Sequence, residues 1–538
     1  MTLQLPSWDE IFLVMPEVWL AVGMCAVILV PFVNRRSDAW PTAATLATLV
    51  LALAWTVATL KYPGGAGRPV LHGMLTVDPF SQFFKLLLIL FTLLVVVQWM
   101  FGARRDTSIY DVPDFHCLLL GAAFGMALMA SASNLLMIFV AIETASLPSF
   151  ALAGFRKRHR VGTEGSLKYV IFGAASSAIM LYGMSLLYGT AGTLDLSGVA
   201  ASASADFSPL CAVGLVMMFA GIAFKLSAVP LHFWCPDVFQ GAAFEVTTFL
   251  SVASKGAAVA LLLRILFVFG AQTGPEGFVG MAVGVAILGA ATATWGNLLA
   301  YHQNNIKRLL AYSSIAHAGY MIMAASLMVL VRTASDPDLA ASVIGAILFY
   351  LLIYMFMNLG AFTVASLVAR SAGAEDGEDI RYYTGLMTRS PLLTVAMALF
   401  LLSLFGMPGL GGFMGKVYLM KAMADIGGSG GGRVLIAVLL INTLISLYYY
   451  MRPIYHMVLV ADTANRPHFA AHRMGLALLL VCGVAILWTG LLPSGATRLT
   501  EDYGHIAVKT PRDPDPVRPD QAAPVPDAST ARVTGTDP

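Results

Sequence analysis

Apolar runs of roughly 18 to 25 residues recur along this chain from residue 11 to about residue 493, each long enough to carry a helix across about 30 Å of hydrocarbon. They make it an all-α polytopic membrane protein. Reading the runs between polar breaks places about fourteen spans near 11–33, 41–60, 77–101, 113–131, 133–154, 164–189, 209–230, 243–270, 276–300, 305–330, 339–369, 391–424, 434–458 and 474–493. Composition agrees, since 58% of the 538 residues are hydrophobic and 12% charged, against about a quarter charged in soluble domains.

Basic residues predict the orientation. Arg35/Arg36, Arg104/Arg105, Arg156/Lys157/Arg158/Arg160, Lys307/Arg308, Arg381/Arg389 and Arg452/Arg466/Arg473 fall in every second loop, whereas 190–207 and 271–275 are nearly free of Lys and Arg. Both termini are expected to face away from the cytoplasm. Asp9 and Glu10 stand where a cleaved signal would be basic, so the first run reads as a retained span. Beyond Leu492 the composition turns to Pro, Asp, Ala and Thr, and a disordered Pro-rich tail is expected over 501–538, with no long amphipathic helix after the last span.

A net charge of +2 without a polybasic tract beyond one loop leaves no footprint for nucleic acid. Cys25, Cys117, Cys211, Cys235 and Cys482 are scattered without a C-x-x-C pair, and no Gly-rich nucleotide loop occurs. No metal and no cofactor is expected on this chain.

Two spans are interrupted. Lys225-Leu-Ser-Ala-Val-Pro230 runs on to His232, Trp234 and Pro236, and Gly406-Met-Pro408-Gly-Leu-Gly-Gly412 precedes Lys416. Proline and glycine at membrane depth free backbone groups that neighbours or water must satisfy. Breaks in two corresponding places, each beside a lysine, point to an internally repeated transporter with its ion path at mid-membrane.

An ionisable group near the bilayer centre costs about 2.5–3.5 kcal/mol on the lenient insertion scale, so each implies a partner or a function. Glu143, Lys225, Lys255 and Lys416 stand out, with His317 a fifth titratable group among hydroxyls. Desolvation disfavours a buried ammonium and a nearby carboxylate restores it, so moving Glu143 relative to Lys225 would switch the lysine between holding and releasing a proton. Lys255, His317 and Lys416 would extend the path, with Ser254, Ser313, Ser314 and water bridging the gaps. Other charges read as ordinary. Lys307 and Arg308 open a cytoplasmic helix end, Glu17 and Asp78 lie near hydrated interfaces, Glu164 and Lys168 form a local pair, and Lys421 reaches the surface.

Longer motifs add a resemblance. Phe224-Lys-Leu-Ser-Ala-Val-Pro-Leu-His-Phe-Trp-Cys-Pro-Asp-Val-Phe239, Phe249 to Lys255, Ile306 to Tyr320, Glu143 to Phe155, and Leu167-Lys-Tyr169 followed by Gly173-Ala-Ala-Ser-Ser177 resemble the subunit N (subunit 2) family of respiratory complex I, the NADH-quinone oxidoreductase. The resemblance runs from about residue 14 to 458. It implies a fold of about fourteen helices with two inverted five-helix repeats, whose seventh and twelfth helices are broken. The segments would be helices 1–3 over 1–112, a first antiporter-like repeat over 113–270, a second over 271–458 and a last span within 459–500.

In that family the buried proton route falls, motif by motif, on Glu143, Lys225, Lys255 and Lys416. The resemblance further implies a bacterial inner membrane location and other membrane-arm subunits, such as M and K, as partners. NADH, FMN, iron–sulfur and quinone chemistry would lie elsewhere in the complex. There are departures. Where the family has a Pro-Thr-Pro-like stretch this chain reads Ala243-Phe-Glu-Val-Thr247, making Glu245 an extra acid near a proton entrance. The alternatives are a subunit of a multisubunit cation/proton antiporter and a non-pumping scaffold of a hydrogenase-like complex.

Overall fold

The computed structural model describes residues 7–33, 38–60, 67–102, 108, 111–157, 159–272, 278–331, 337–372, 376–426, 430–461 and 472–508. Arg35, Arg36, Arg104, Arg105, Arg158, Arg466 and the tail from 509 lie outside the described residues, as does most of the 271–275 loop.

Among the described residues twenty-one α-helices follow one another. The N-terminal group is α1 Trp8–Leu13, α2 Met15–Val33, α3 Ala39–Leu60 and α4 Pro79–Phe101. Next come α5 Val112–Ser131, α6 Leu135–Ala153, α7 Arg160–Ala191, α8 Leu196–Ala205, α9 Pro209–Leu226, α10 Trp234–Gly241, α11 Phe244–Phe249 and α12 Lys255–Gln272. The remainder are α13 Val279–Ala300, α14 Ile306–Ser326, α15 Pro337–Ala372, α16 Leu386–Arg389, α17 Pro391–Phe405, α18 Gly411–Ile426, α19 Gly430–Val458, α20 Arg473–Leu491 and α21 Ser494–Val508. A two-stranded antiparallel hairpin, Arg68–Val70 with Leu75–Val77, precedes α4 and pairs Arg68 with Val77.

Local sequence sets many of the ends. Asp78 and Ser81 make a reciprocal capping box with Pro79 at the first position of α4, and Asn134, Ser208 and Asn305 cap α6, α9 and α14. Twelve helices among the described residues have the length and apolar composition of a membrane span. They coincide with twelve of the stretches read from hydropathy. The other two differ for physical reasons. Stretch 305–330 is the helix α14, whose buried Lys307, Ser313, Ser314 and His317 lower its hydropathy, and stretch 391–424 is two half-helices, α17 and α18.

Helices α12, α14 and α15 form the centre. Nearly every described side chain of α14 is buried, including its polar ones, so this helix is hydrophobic on no single face. The N-terminal helices pack on α5, and α4 also reaches α11 and α12. One expectation is corrected at the C-terminus. Residues 501–508, read as the start of a disordered tail, complete helix α21. Thr500 and Gly504 lie against Gly345 and Ala341 of α15, and Tyr503 meets Phe83 with ring centroids 5.0 Å apart. A stripe of Ala, Thr and Gly carries little hydropathy, yet it lets two backbones approach closely.

Candidate functional site: buried lysines around a central helix

The first break lies between α9 and α10. Lys225 sits on the last turn of α9, and Ser227 ends that helix in the left-handed region at φ 56°. The Val229–Pro230 peptide is cis, the Val229 amide donates to Thr292 Oγ1 at 3.0 Å, and Pro236 lies in the first turn of α10. Trp234 Nε1 donates to the Phe224 carbonyl at 3.0 Å and its ring stacks on Tyr169 at 4.1 Å, so aromatic packing braces the gap. Lys225 is buried, and its Nζ has no hydrogen-bond partner among the described residues.

The second break lies between α17 and α18. Gly406 closes α17 at φ 94°, Pro408 follows, and Gly409 turns at φ 89°. Left-handed backbone of this kind favours glycine. Lys416, on α18, reaches back to donate to the Phe405 carbonyl at 2.6 Å, one of the groups that the helix end leaves unpaired. Its Nζ also lies 5.4 Å from the centroid of the Tyr320 ring.

Helix α14 joins the two breaks. Lys255, which follows a π-helical turn over Leu250–Ser254, donates to Ser314 Oγ and lies 4.0 Å from Cys235 Sγ on α10. His317, one turn further along α14, is held between Tyr350 OH at 2.5 Å on Nδ1 and Tyr450 OH at 3.1 Å on Nε2. Ser313 also bonds Tyr450 OH. Tyr320 follows, accepting from Asn297 Nδ2 at 2.9 Å while its ring faces Lys416. Ser314, His317 and Tyr320, spaced by three, thus meet Lys255, a tyrosine pair and Lys416 in turn.

The structure brings Lys255, His317 and Lys416 onto this one line. Glu143 stands apart on α6, partly exposed, and accepts from Ser177 Oγ on α7, the helix that packs along Lys225's own α9. No hydrogen bond or ion pair joins Glu143 to Lys225 among the described residues. Of the bridging hydroxyls expected, Ser314 and Ser313 take part, whereas Ser254 Oγ has no partner. Glu245 is buried in the first turn of α11 and accepts from Ser366 Oγ at 3.4 Å.

Several charges read as ordinary prove otherwise. Glu17 is buried against Lys85 at 2.6 Å, and Asp78 is buried in a bidentate pair with Arg264, both bonds 3.0 Å. The signal was present, because Lys85 and Arg264 lie inside apolar runs. Lys307 is also buried and donates to the Gln240 carbonyl at 2.8 Å, the Ala242 carbonyl at 2.7 Å and Glu378 Oε1 at 2.8 Å. Lys168 pairs with Glu164 at 2.8 Å as expected, but it equally holds Asp237 at 2.7 Å, which Arg308 grips from the other side at 2.6 Å. Lys421 is exposed, as read.

Residues 132–446 match the family described as NADH:quinone oxidoreductase/Mrp antiporter, transmembrane. The chain belongs to this family. It is 40% identical over 512 residues to NADH-quinone oxidoreductase subunit N of an Anaeromyxobacter species, covering 90% of this chain and 95% of that one. A chain of respiratory complex I from Thermus thermophilus aligns at 34% identity and a TM-score of 0.72, over 90% of this chain and 98% of its own. A chain of the Mrp complex from a Dietzia species shares the fold at 21% identity and a TM-score of 0.74, covering 94% and 98% of the two chains. The residues matched by the family take in both breaks and, of the central line, all but Tyr450.

Proposed function

We propose that this chain is the subunit-N-type, proton-translocating membrane-arm subunit of an NADH-quinone oxidoreductase. It couples quinone reduction elsewhere in the complex to proton transfer through Glu143, Lys225, Lys255, His317 and Lys416. The observation that carries the reading is the line itself. A buried lysine stands at each helix break and a third between them; Lys255 is bonded by Ser314 of α14, Lys416 by the Phe405 carbonyl, and His317 lies on α14 between those two contacts.

In this reading each group has a task. Lys225 Nζ is tied to no other side chain or carbonyl among the described residues, so its charge follows the field around it, and a shift of α6 against α7 sets the distance from Glu143. Lys255 passes a proton through Ser314 toward the Ser313–Tyr450–His317 cluster. His317, with tyrosine hydroxyls on both ring nitrogens, can take a proton on one side and release one on the other. Lys416 receives it at the second break, where its ammonium is held by the freed Phe405 carbonyl. The two breaks are the discontinuous helices of two inverted repeats, within a fold of about fourteen membrane helices.

In this reading the chain lies in a bacterial inner membrane with both termini on the periplasmic side, beside other membrane-arm subunits such as M and K. It carries no redox centre, and NADH, FMN, iron–sulfur clusters and quinone serve the rest of the complex. The test uses sealed inverted vesicles that contain the assembled complex. NADH should drive proton uptake that an uncoupler abolishes, and an imposed sodium gradient without NADH should move no protons. Sodium-driven proton exchange under those conditions would instead make the chain a cation/proton antiporter subunit.

A further inference from the structure

The helices that precede the family match hold a second group of buried ionisable side chains, which the central line does not use. Glu17, in the first turn of α2, meets Lys85, two turns into α4, at 2.6 Å with both side chains almost inaccessible. Beyond this contact, neither Glu17 oxygen nor Lys85 Nζ has a hydrogen-bond partner among the described residues. Gln82, one turn before Lys85, is buried with both amide atoms unpartnered among the described residues. A buried ion pair serves stability only when its remaining lone pairs and protons are bonded. Here they are not. Buried polar atoms of this kind are those that internal water serves.

The site continues along the inside of the bundle. Thr42, Thr45, Thr48, Thr56 and Thr59 form one buried stripe on α3, and each hydroxyl donates to the carbonyl four residues back; Thr48 packs closely on Gly23 of α2. Trp55 Nε1 donates to the Phe12 carbonyl at 2.9 Å, which sets the Thr56–Thr59 end beside the start of α2 and hence near Glu17. At the other end, Thr42 Oγ1 lies 3.2 Å from His116 Nε2. His116 Nδ1 is buried there without a partner among the described residues, with the Trp99 ring of α4 edge-on to its imidazole at 4.6 Å.

We propose that Glu17 and Lys85, with Gln82, form a second proton-exchange site of this chain, at one end of a polar stripe that crosses the N-terminal helices to His116. The inference rests on the proton-carrying reading above. A lysine tied to a single carboxylate, with hydration at its remaining donors, can hand a proton to water and take one back. A dry structural strut has no use for the unpaired Gln82 amide. Thr56 and Thr59, at the end of the stripe nearer Glu17, give that water acceptors.

Two variants separate exchange from support in vesicles holding the assembled complex. Lys85→Arg keeps a positive charge on Glu17 but cannot release a proton. Glu17→Gln combined with Lys85→Met removes both charges and leaves no lone buried ion. Both are expected to assemble and to lose proton yield per electron, by roughly twofold or more. Native-like yield in either assembled variant overturns the inference, and so does failure of both to assemble, which would make the pair a strut. If only the double variant assembles, its yield decides. Lys225→Ala in the same vesicles keeps the two claims apart. If it loses yield while the Glu17 and Lys85 variants do not, this inference fails alone; if none of them alters yield, the proposed function fails with it.

Discussion

Lys307→Met should loosen the half-helix that follows the first break. The ammonium is fully buried and makes three bonds of 2.7–2.8 Å, two of them to carbonyls at the C-terminal end of α10 and one to Glu378. Each acceptor left unpaired costs about 1–3 kcal/mol, and breaking a buried pair costs about 3–5 kcal/mol in all, the effects not being additive. Glu378 keeps its bond from Asn305 Nδ2 at 3.0 Å and some access to solvent, which puts the loss near the lower bound, about 3 kcal/mol. At about 1.4 kcal/mol per decade, local opening of α10 becomes roughly a hundredfold more frequent. Hydrogen exchange followed by mass spectrometry on the intact complex should show this at the Gly241 and Ala242 amides. Adding Glu378→Gln should recover part of the loss, since the stranded charge is gone. Unchanged exchange in α10 for Lys307→Met would refute the view that this lysine caps the half-helix.

Other consequences follow from the same geometry. Ser314→Ala removes the hydroxyl that holds Lys255 and should lower NADH-driven proton yield, while Ser314→Thr retains it; equal yields in both would remove Ser314 from the route. At Gly412 an added Cβ would fall 1.8 Å from the Ser403 carbonyl oxygen, so Gly412→Ala must push α17 and α18 apart. A cost of about 1–3 kcal/mol and a lower thermal midpoint of the complex are expected, and an unchanged midpoint would contradict the close packing of the second break. Glu245→Gln should alter the pH profile of turnover more than assembly, and an unchanged profile removes Glu245 from the proton entrance.

The two breaks were legible because proline, glycine and lysine in an apolar run violate hydropathy locally, and Lys225, Pro230, Pro408 and Lys416 announce themselves by that violation. Partners were not legible. Tyr450 is 133 residues from His317, and nothing in the sequence says that its hydroxyl, rather than Ser254, completes the hydrogen bonds around α14. Glu17 and Asp78 were misread for a related reason. Position near a span end suggests water, but the loops and helices above them decide whether water reaches, and here Lys85 and Arg264 bury both acids. Helix α21 escaped because a stripe of small residues packs by backbone approach, which leaves no mark on hydropathy.

The central claim is that Lys225 carries protons driven by redox energy. Its most direct test is proton movement per electron from NADH in sealed inverted vesicles, comparing the native complex with Lys225→Ala at matched assembly. A sharp fall in proton yield or turnover with the complex intact is the predicted result. Native-like turnover and yield in Lys225→Ala would contradict it and leave the chain a scaffold.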